Sequence, residues 1–357
     1  MHMANELLSV PAAAATLAIG GAAVAIAAWR ARPSAGDDRL PLMGVMGAFV
    51  FAAQMINFTL PGMPGTSGHL GGGVLLAILL GPAAAIVTMA SILMVQCLLF
   101  QDGGLLALGC NIINMGVIPC LLGGWLYRAL LGRASRASAW RQYLAAWLAC
   151  LAGVTAGAAM VPLEAAASGV LQVPLGQFLG VMVGVHLVIG LCEGVITFAV
   201  IAYLRRVKPE LLGQEVDPSQ RAADRLGYAT VAASLLVTAL LLAGIVSWFA
   251  SSQPDGLEWS YRQRWGGAGA PAVRNASPTI AAVDGWQSRW SLMSDYSQRE
   301  APWGELPDEK GAAGTGGSAA AWPNPSGWLS LAGLLGTGIT LVLLYGISRL
   351  MRGPSPV

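Results

Sequence analysis

Residues 70–100 run for 31 positions without one charged side chain. A helix crosses the hydrocarbon core of a bilayer with about 20 apolar residues. The stretch is therefore too long for one upright helix and short for two. Gly81-Pro82 interrupts it in the middle, and a proline there ends one helix and opens the next. Comparable apolar spans recur at 9–29, 42–60, 105–127, 142–163, 178–204, 228–250 and 327–348. With 70–81 and 83–100 they make nine predicted crossings. Only 11% of the 357 residues are charged, against about 25% in soluble chains. The expected fold is all-α: a polytopic membrane bundle of about seven helices, then a two-helix C-terminal module around a long external segment.

Arginine placement sets the direction. Clusters follow the first span (Arg30, Arg32, Arg39), the fifth (Arg128, Arg133, Arg136, Arg141), the seventh (Arg205, Arg206, with Lys208) and the ninth (Arg349, Arg352). Basic loops stay cytoplasmic. All four clusters fall on one side only if 70–100 crosses twice. The expected topology has the N-terminus outside and the C-terminus inside, in a bacterial or archaeal cell membrane. The short third helix must then be sheltered by protein rather than lipid.

Several function classes are disfavoured. Neither lysine, Lys208 or Lys310, lies in a GxxxxGK[ST] loop, so no P-loop for ATP is expected in this chain. The five cysteines (Cys97, Cys110, Cys120, Cys150, Cys192) form no CxxC pair and read as buried small hydrophobes. The N-terminus lacks the basic region of a cleavable signal. No nucleic-acid partner and no permanently bound cofactor are expected.

Two of the three histidines lie where the topology brings them together. Met1-His2 is outside, and so is the loop 61–69 with His69. Met1 is expected to be retained, because His2 is bulky. A free terminal amine before a second-position histidine is a chelator. Its amine nitrogen, the deprotonated His2 amide nitrogen and His2 Nδ1 close a five- and a six-membered ring on one metal. The His69 imidazole would complete four nitrogens in a plane. Such a set suits Ni(II), Cu(II) or low-spin Co(II) better than Zn(II) or Mg(II). Taken alone, the same residues also describe a frayed terminus.

Polar residues gather at the same depth: Gln54 and Asn57 at the outer end of the second span, Gln96 and Gln101 at that of the fourth, Asn111 and Asn114 at the start of the fifth. Unpaired polar groups in a membrane cost several kcal/mol each, so these line a pocket or pair across helices. Gly62, Gly65, Gly68, Gly71, Gly72 and Gly73 surround His69 and permit close backbone approach. His186 and Glu193 share a face of the seventh span. They read as a proton path, or as partners in interhelical hydrogen bonds. In the first span Ala14, Ala18 and Ala22 repeat at four, a face for internal packing or for another membrane subunit.

Three domains follow: a membrane bundle over 1–206, a polar Pro-containing cytoplasmic linker over 207–227, and a two-helix module over 228–357. The module's external segment, 251–326, is rich in Gly, Ala, Ser and Pro. It carries Trp259, Trp265, Trp286, Trp290, Trp303 and Trp322, too many for full disorder.

Several motifs resemble a known family. They are the opening Met1-His2-Met3, the loop Gly65-Thr66-Ser67-Gly68-His69-Leu70-Gly71-Gly72-Gly73, the segment from Gly104 to Asn111 with Asn114-Met115-Gly116, and His186 to Gly190 with Glu193-Gly194. Together they look like the substrate-capture component of nickel and cobalt energy-coupling-factor transporters, the CbiM/NikM type, over about residues 1–206. Pro254-Asp255-Gly256-Leu257-Glu258 resembles the signature of the small PDGLE-type partner component, so the chain looks like a fusion of the two. The resemblance implies a planar metal held by the Met1 amine, the His2 backbone nitrogen and imidazole, and the His69 imidazole. It implies a separate transmembrane coupling subunit and cytoplasmic ATPase subunits for ATP-driven import. It also implies that the small component helps load metal or insert the N-terminal peptide. The external segment is longer than the resemblance leads one to expect. Nickel is favoured over cobalt by the planar nitrogen set and the fusion. Competing readings are a stand-alone ion-coupled metal transporter and an intramembrane enzyme using His186 and Glu193, which lacks an HExxH or paired-aspartate signature.

Overall fold

The computed structural model describes residues 1–31, 39–132, 138–212, 225–262, 277–296 and 327–351. Most of the predicted linker, the later part of the external segment with Trp303 and Trp322, and Trp265, Arg32, Arg133, Arg136 and Arg352 lie outside the described residues.

Among the described residues, eleven helices carry the fold. In chain order they are α1 (Val10–Arg30), α2 (Arg39–Gln54), α3 (Gly73–Leu80), α4 (Pro82–Phe100), α5 (Leu108–Leu131), α6 (Ala139–Ala167), α7 (Leu175–Val207), α8 (Arg225–Gly244), α9 (Gly256–Arg262), α10 (Pro278–Trp290) and α11 (Gly327–Met351). Among the described residues, six of them (α1, α4, α5, α6, α7 and α11) are long and apolar enough to cross a membrane. Apolar stretches of α2 and α8 (Leu42–Gln54 and Ala229–Gly244) are shorter. The only named strands among the described residues are Phe58–Thr59 and Ser67–Gly68, an antiparallel pair.

The third predicted span is helical over only part of its length. α3 is helical for 8 residues only, about 12 Å of rise, and does not cross the core by itself. Extended chain leads into it. Gly81, at φ 81°, ends it, and Pro82 opens α4 in its first turn. All but Ile78 of its residues are buried, so protein rather than lipid surrounds it. That is the condition under which non-helical backbone is tolerated at membrane depth. The second span also ends earlier than predicted, at Gln54, because the chain turns there into the loop that carries His69.

The two helices of the C-terminal module are not a separate body. Their side chains belong to the same apolar core as α2 and α4, where Met46, Phe51, Phe100, Leu235, Ala239 and Leu344 pack together. Small residues permit the approach. A Cβ on Gly47 would lie 2.1 Å from Leu344 Cδ1, and one on Gly336 2.1 Å from Phe51 Cζ.

α1 packs through a different face from the one its alanine repeat suggests. Ala13, Gly20 and Ala27 are its buried residues, and Gly20 meets Gly109 of α5 at backbone distance. Ala14, Ala18 and Ala22 are exposed. Next to that contact α5 carries two π-turns, Ile112–Val117 and Pro119–Gly123. Such bulges re-aim side chains and are frequent at functional sites.

Candidate metal centre at the chain terminus

The first eight residues are inserted between helices. Met3, Leu7 and Leu8 are buried with alanines and Cys110 of α1, α5 and α6. Backbone hydrogen bonds hold the peptide. Met3 N–H donates to Asn111 Oδ1 (2.7 Å), and Gly104 N–H donates to Met3 C=O (2.8 Å). The Asn5 carboxamide oxygen accepts from Leu106 N–H at 2.7 Å. Glycine at 104 is required, since a Cβ there would lie 2.2 Å from Asn5 Oδ1. Asn111, singled out from the sequence, thus anchors the peptide. Asn114 donates to Glu164 (2.7 Å) and to Met3 Sδ (3.5 Å).

The second component is the loop between α2 and α3, which descends along α7. Gly71 N–H and Gly72 N–H donate to the two oxygens of Glu193, at 2.7 and 3.1 Å. Glu193 is near the middle of α7, about 27 Å from its start. One carboxylate therefore satisfies two backbone donors of a non-helical segment deep in the bundle. This is its structural role, the interhelical option of the two open from the sequence. A Cβ on Gly71 would lie 2.8 Å from Glu193 Oε2, so only glycine fits.

These two components bring the histidines together. The Met1 terminal nitrogen lies 2.9 Å from His69 Nε2, and the His2 and His69 rings stack with centroids 5.3 Å apart. Hydrogen bonds fix the tautomers. His69 Nδ1–H donates to Leu70 C=O (3.1 Å), leaving the lone pair on Nε2 facing the amine. Gln54 Nε2 donates to Gly71 C=O (2.8 Å), and Gln54 Oε1 accepts from Gln96 Nε2 (2.9 Å). Gln96 Oε1 then faces His2 Nε2 at 3.1 Å. An oxygen only accepts, so Nε2 carries the hydrogen and Nδ1 the lone pair. Asn57 does not join this chain. It lines an outer chamber, and its carbonyl accepts from Ser251 N–H.

Two aspartates not singled out as site residues from the sequence complete the centre. Asp255 Oδ2 accepts from the Met1 amine at 2.7 Å and lies 4.0 Å from His69 Nε2. Its Oδ1 accepts from Glu258 N–H at 2.7 Å, the cap of α9. Asp102 Oδ1 lies 3.0 Å from His2 Nδ1, and its Oδ2 accepts from Tyr296 Oη at 2.6 Å. Ser67 bridges to the Asp255 strand, with Ser67 N–H donating to Pro254 C=O (2.8 Å). The PDGLE-like motif therefore sits on the His69 loop. Sequence reading had the motif but no means of joining residues almost two hundred positions apart. The usable signal was an acidic residue just outside each of two apolar spans.

Burial, reinforced by the terminal ammonium, holds the His2 and His69 imidazoles down at about 3. Burial pushes the Asp102 carboxyl up. Burial alone would raise Asp255 too, but the terminal ammonium and His69 more than reverse it, and its carboxyl is held below the usual range. Among the described residues no three His, Cys, Asp or Glu side chains form a group that could hold a metal ion. A metal here would need the main-chain nitrogens of residues 1 and 2.

Two spaces adjoin the centre. An open chamber of about 550 Å³ is lined by His2, His69, Asp102, Asp255, Glu258 and Tyr296, among others. On the inner side a cavity of about 30 Å³, room for one water-sized species, is lined by Met1, His69, His186, Glu193 and Asp255, with apolar neighbours. His186 Nδ1 bonds to Met182 C=O (2.8 Å), and its buried Nε2 has no partner.

Comparison with known proteins agrees with this architecture. Residues 2–211 match the family described as CbiM, cobalt uptake substrate-specific transmembrane region, and residues 229–353 match the PDGLE domain. The chain is 30% identical to the fused nickel transport protein NikMN of Rhodobacter capsulatus, covering 72% of this chain and 75% of that one. It is 28% identical to the cobalt transport protein CbiM of Geobacter sulfurreducens, covering 68% and 72%. A crystal structure of a truncated transition metal transporter superposes with a TM-score of 0.50 at 31% identity, over 58% of this chain and 99% of that one. Helices, family and relatives converge on a multi-pass membrane protein of metal transport rather than an enzyme: the chain belongs to the CbiM family and carries a PDGLE domain in the same polypeptide.

Proposed function

We propose that the chain captures a divalent transition metal ion, nickel in preference to cobalt, at the outer face of the membrane. The ligands are the Met1 amine, the His2 amide nitrogen, His2 Nδ1 and His69 Nε2. The cargo is then delivered for ATP-driven import with a separate transmembrane coupling subunit and cytoplasmic ATPase subunits. The N-terminus lies outside and the C-terminus in the cytoplasm.

One observation carries the reading. The Met1 nitrogen is 2.9 Å from His69 Nε2. Two nitrogens at about 2.0–2.1 Å from one metal, at right angles, lie about 2.9 Å apart. The His69 tautomer supports it, because its Nε2 lone pair faces the amine. Gln96 is the hydrogen-bond partner that a metal-bound His2 would need at its other ring nitrogen. The planar nitrogen set favours Ni(II), and the match to a fused nickel transporter agrees. Outward orientation rests on the arginine clusters. Separate ATPases fit a chain without a P-loop.

The test is calorimetric titration of the purified chain with Ni(II) and Co(II), beside a version with one extra residue before Met1. One metal per chain, lost in the extended version, is the expected result. Equal binding by both would overturn the terminal-amine site.

A further inference from the structure

Two of the four proposed nitrogen ligands are each engaged by an aspartate. Asp255 Oδ2 holds the Met1 amine and Asp102 Oδ1 holds His2 Nδ1. The two carboxylates are built alike. Each has its second oxygen tethered to the C-terminal module, Asp255 through Glu258 N–H and Asp102 through Tyr296 Oη. Each lines the open outer chamber. Asp255 also lines the small inner cavity, as does His186, whose buried Nε2 has no hydrogen-bond partner. A cation in the outer chamber therefore meets these carboxylate oxygens beside the two imidazoles.

We infer that Asp102 and Asp255 are loading ligands: they bind the hydrated divalent cation first and pass it to the four nitrogens. The inference rests on the proposed nitrogen site and adds its route of filling. A hard, hydrated cation exchanges water for carboxylate oxygen readily, and nitrogen is the better final donor for Ni(II). In the hand-over each metal–oxygen bond is replaced by a metal–nitrogen bond. One proton from the Met1 ammonium and the His2 amide proton leave to water through the chamber, and no redox partner is involved. The tethers hold the oxygens in place, so the C-terminal module sets the rate of filling while the N-terminal peptide and His69 set the final affinity.

Stopped-flow mixing of the full chain with Ni(II), read by the absorbance of the planar nickel chromophore, tests this. Asp255→Asn and Asp102→Asn are expected to slow association about tenfold each, at low and at high salt, with the final spectrum unchanged. Equilibrium affinity changes less than the association rate. Tyr296→Phe, which removes only a tether, gives a smaller effect of the same kind and serves if an aspartate variant does not fold. Glu258→Gln removes a charge from the same chamber and measures the general field, which salt screens. Unchanged association rates in the aspartate variants overturn the inference, as does slowing that matches Glu258→Gln and vanishes in salt. Failure of the unmodified chain to bind nickel is a different result, and it defeats the nitrogen site itself.

Discussion

The eight residues before α1 and α1 itself are neighbours in sequence and opposites in environment. The peptide buries Met3, Leu7 and Leu8, donates Met3 N–H to Asn111, and accepts from the 104–106 loop through Met3 C=O and Asn5 Oδ1. α1 is 21 residues long, yet only Ala13, Gly20 and Ala27 are buried, while Ile19, Ile26 and Trp29 are more than half exposed. A helix satisfies its own backbone, so lipid can hold it. An irregular peptide cannot, so protein must hold it. The terminal amine is thus located by specific hydrogen bonds and tight glycines, and the helix behind it serves chiefly as a leash.

That contrast can be broken from either side. The largest effect is expected at the histidines: His2→Ala and His69→Ala abolish nickel binding in calorimetry while the chain stays folded by circular dichroism. Next is Gly104→Ala, whose Cβ would lie 2.2 Å from Asn5 Oδ1 and 2.4 Å from its N–H. The peptide is pushed out, and nickel affinity falls by about a hundredfold with helical content retained. Asn111→Ala leaves Met3 N–H buried without its acceptor, costs about 1–3 kcal/mol, and weakens nickel binding by the corresponding roughly ten- to hundredfold. Ile19→Ala on α1, 60% exposed, is expected to leave nickel affinity and melting temperature in detergent unchanged. A loss there would mean that α1 positions the peptide after all.

pH sharpens the comparison, because it acts on the peptide and not on α1. Metal binding releases protons from the amine and the His2 amide, so affinity falls as pH falls, by more than one proton per metal in titrations at several pH values. The imidazoles act separately. Their folded values, about 3, lie below the ordinary 6.5. The stability of keeping them neutral is complete above 6.5 and is lost as pH falls from 6.5 toward 3. Hydrogen exchange at residues 1–8 is expected to rise through that window before the helices open.

Much of this was legible in the sequence for physical reasons. Charge-free spans and Gly81-Pro82 announce helices and a break, because a bilayer leaves a backbone few alternatives. Gln54, Gln96 and Asn111 stood out because polar groups are costly at that depth, and all three bond within the site. That α3 is short and sheltered by protein was legible, but its exact extent was not: hydropathy cannot tell a helix from an extended segment buried in protein. Of the two readings of the alanine face of α1, internal packing does not hold, since alanine spacing gives no direction and the close approach is made by Gly20 and Gly109. Asp102 and Asp255 were out of reach, because loops 153 positions apart meet only after the fold is built.

The run of hydrogen bonds from Gly71 to His2 has one further consequence. A carbonyl only accepts, so the Gly71 oxygen obliges Gln54 to turn its nitrogen inward and its oxygen outward, and Gln96 must follow. The message has a direction, and it ends on the lone pair of His2 Nδ1. One position earlier on the same loop, Leu70 C=O does the same for His69. Two consecutive main-chain oxygens thus write the electronic state of both imidazoles. A glutamate at Gln54 or Gln96 would erase that direction without moving an atom of the backbone.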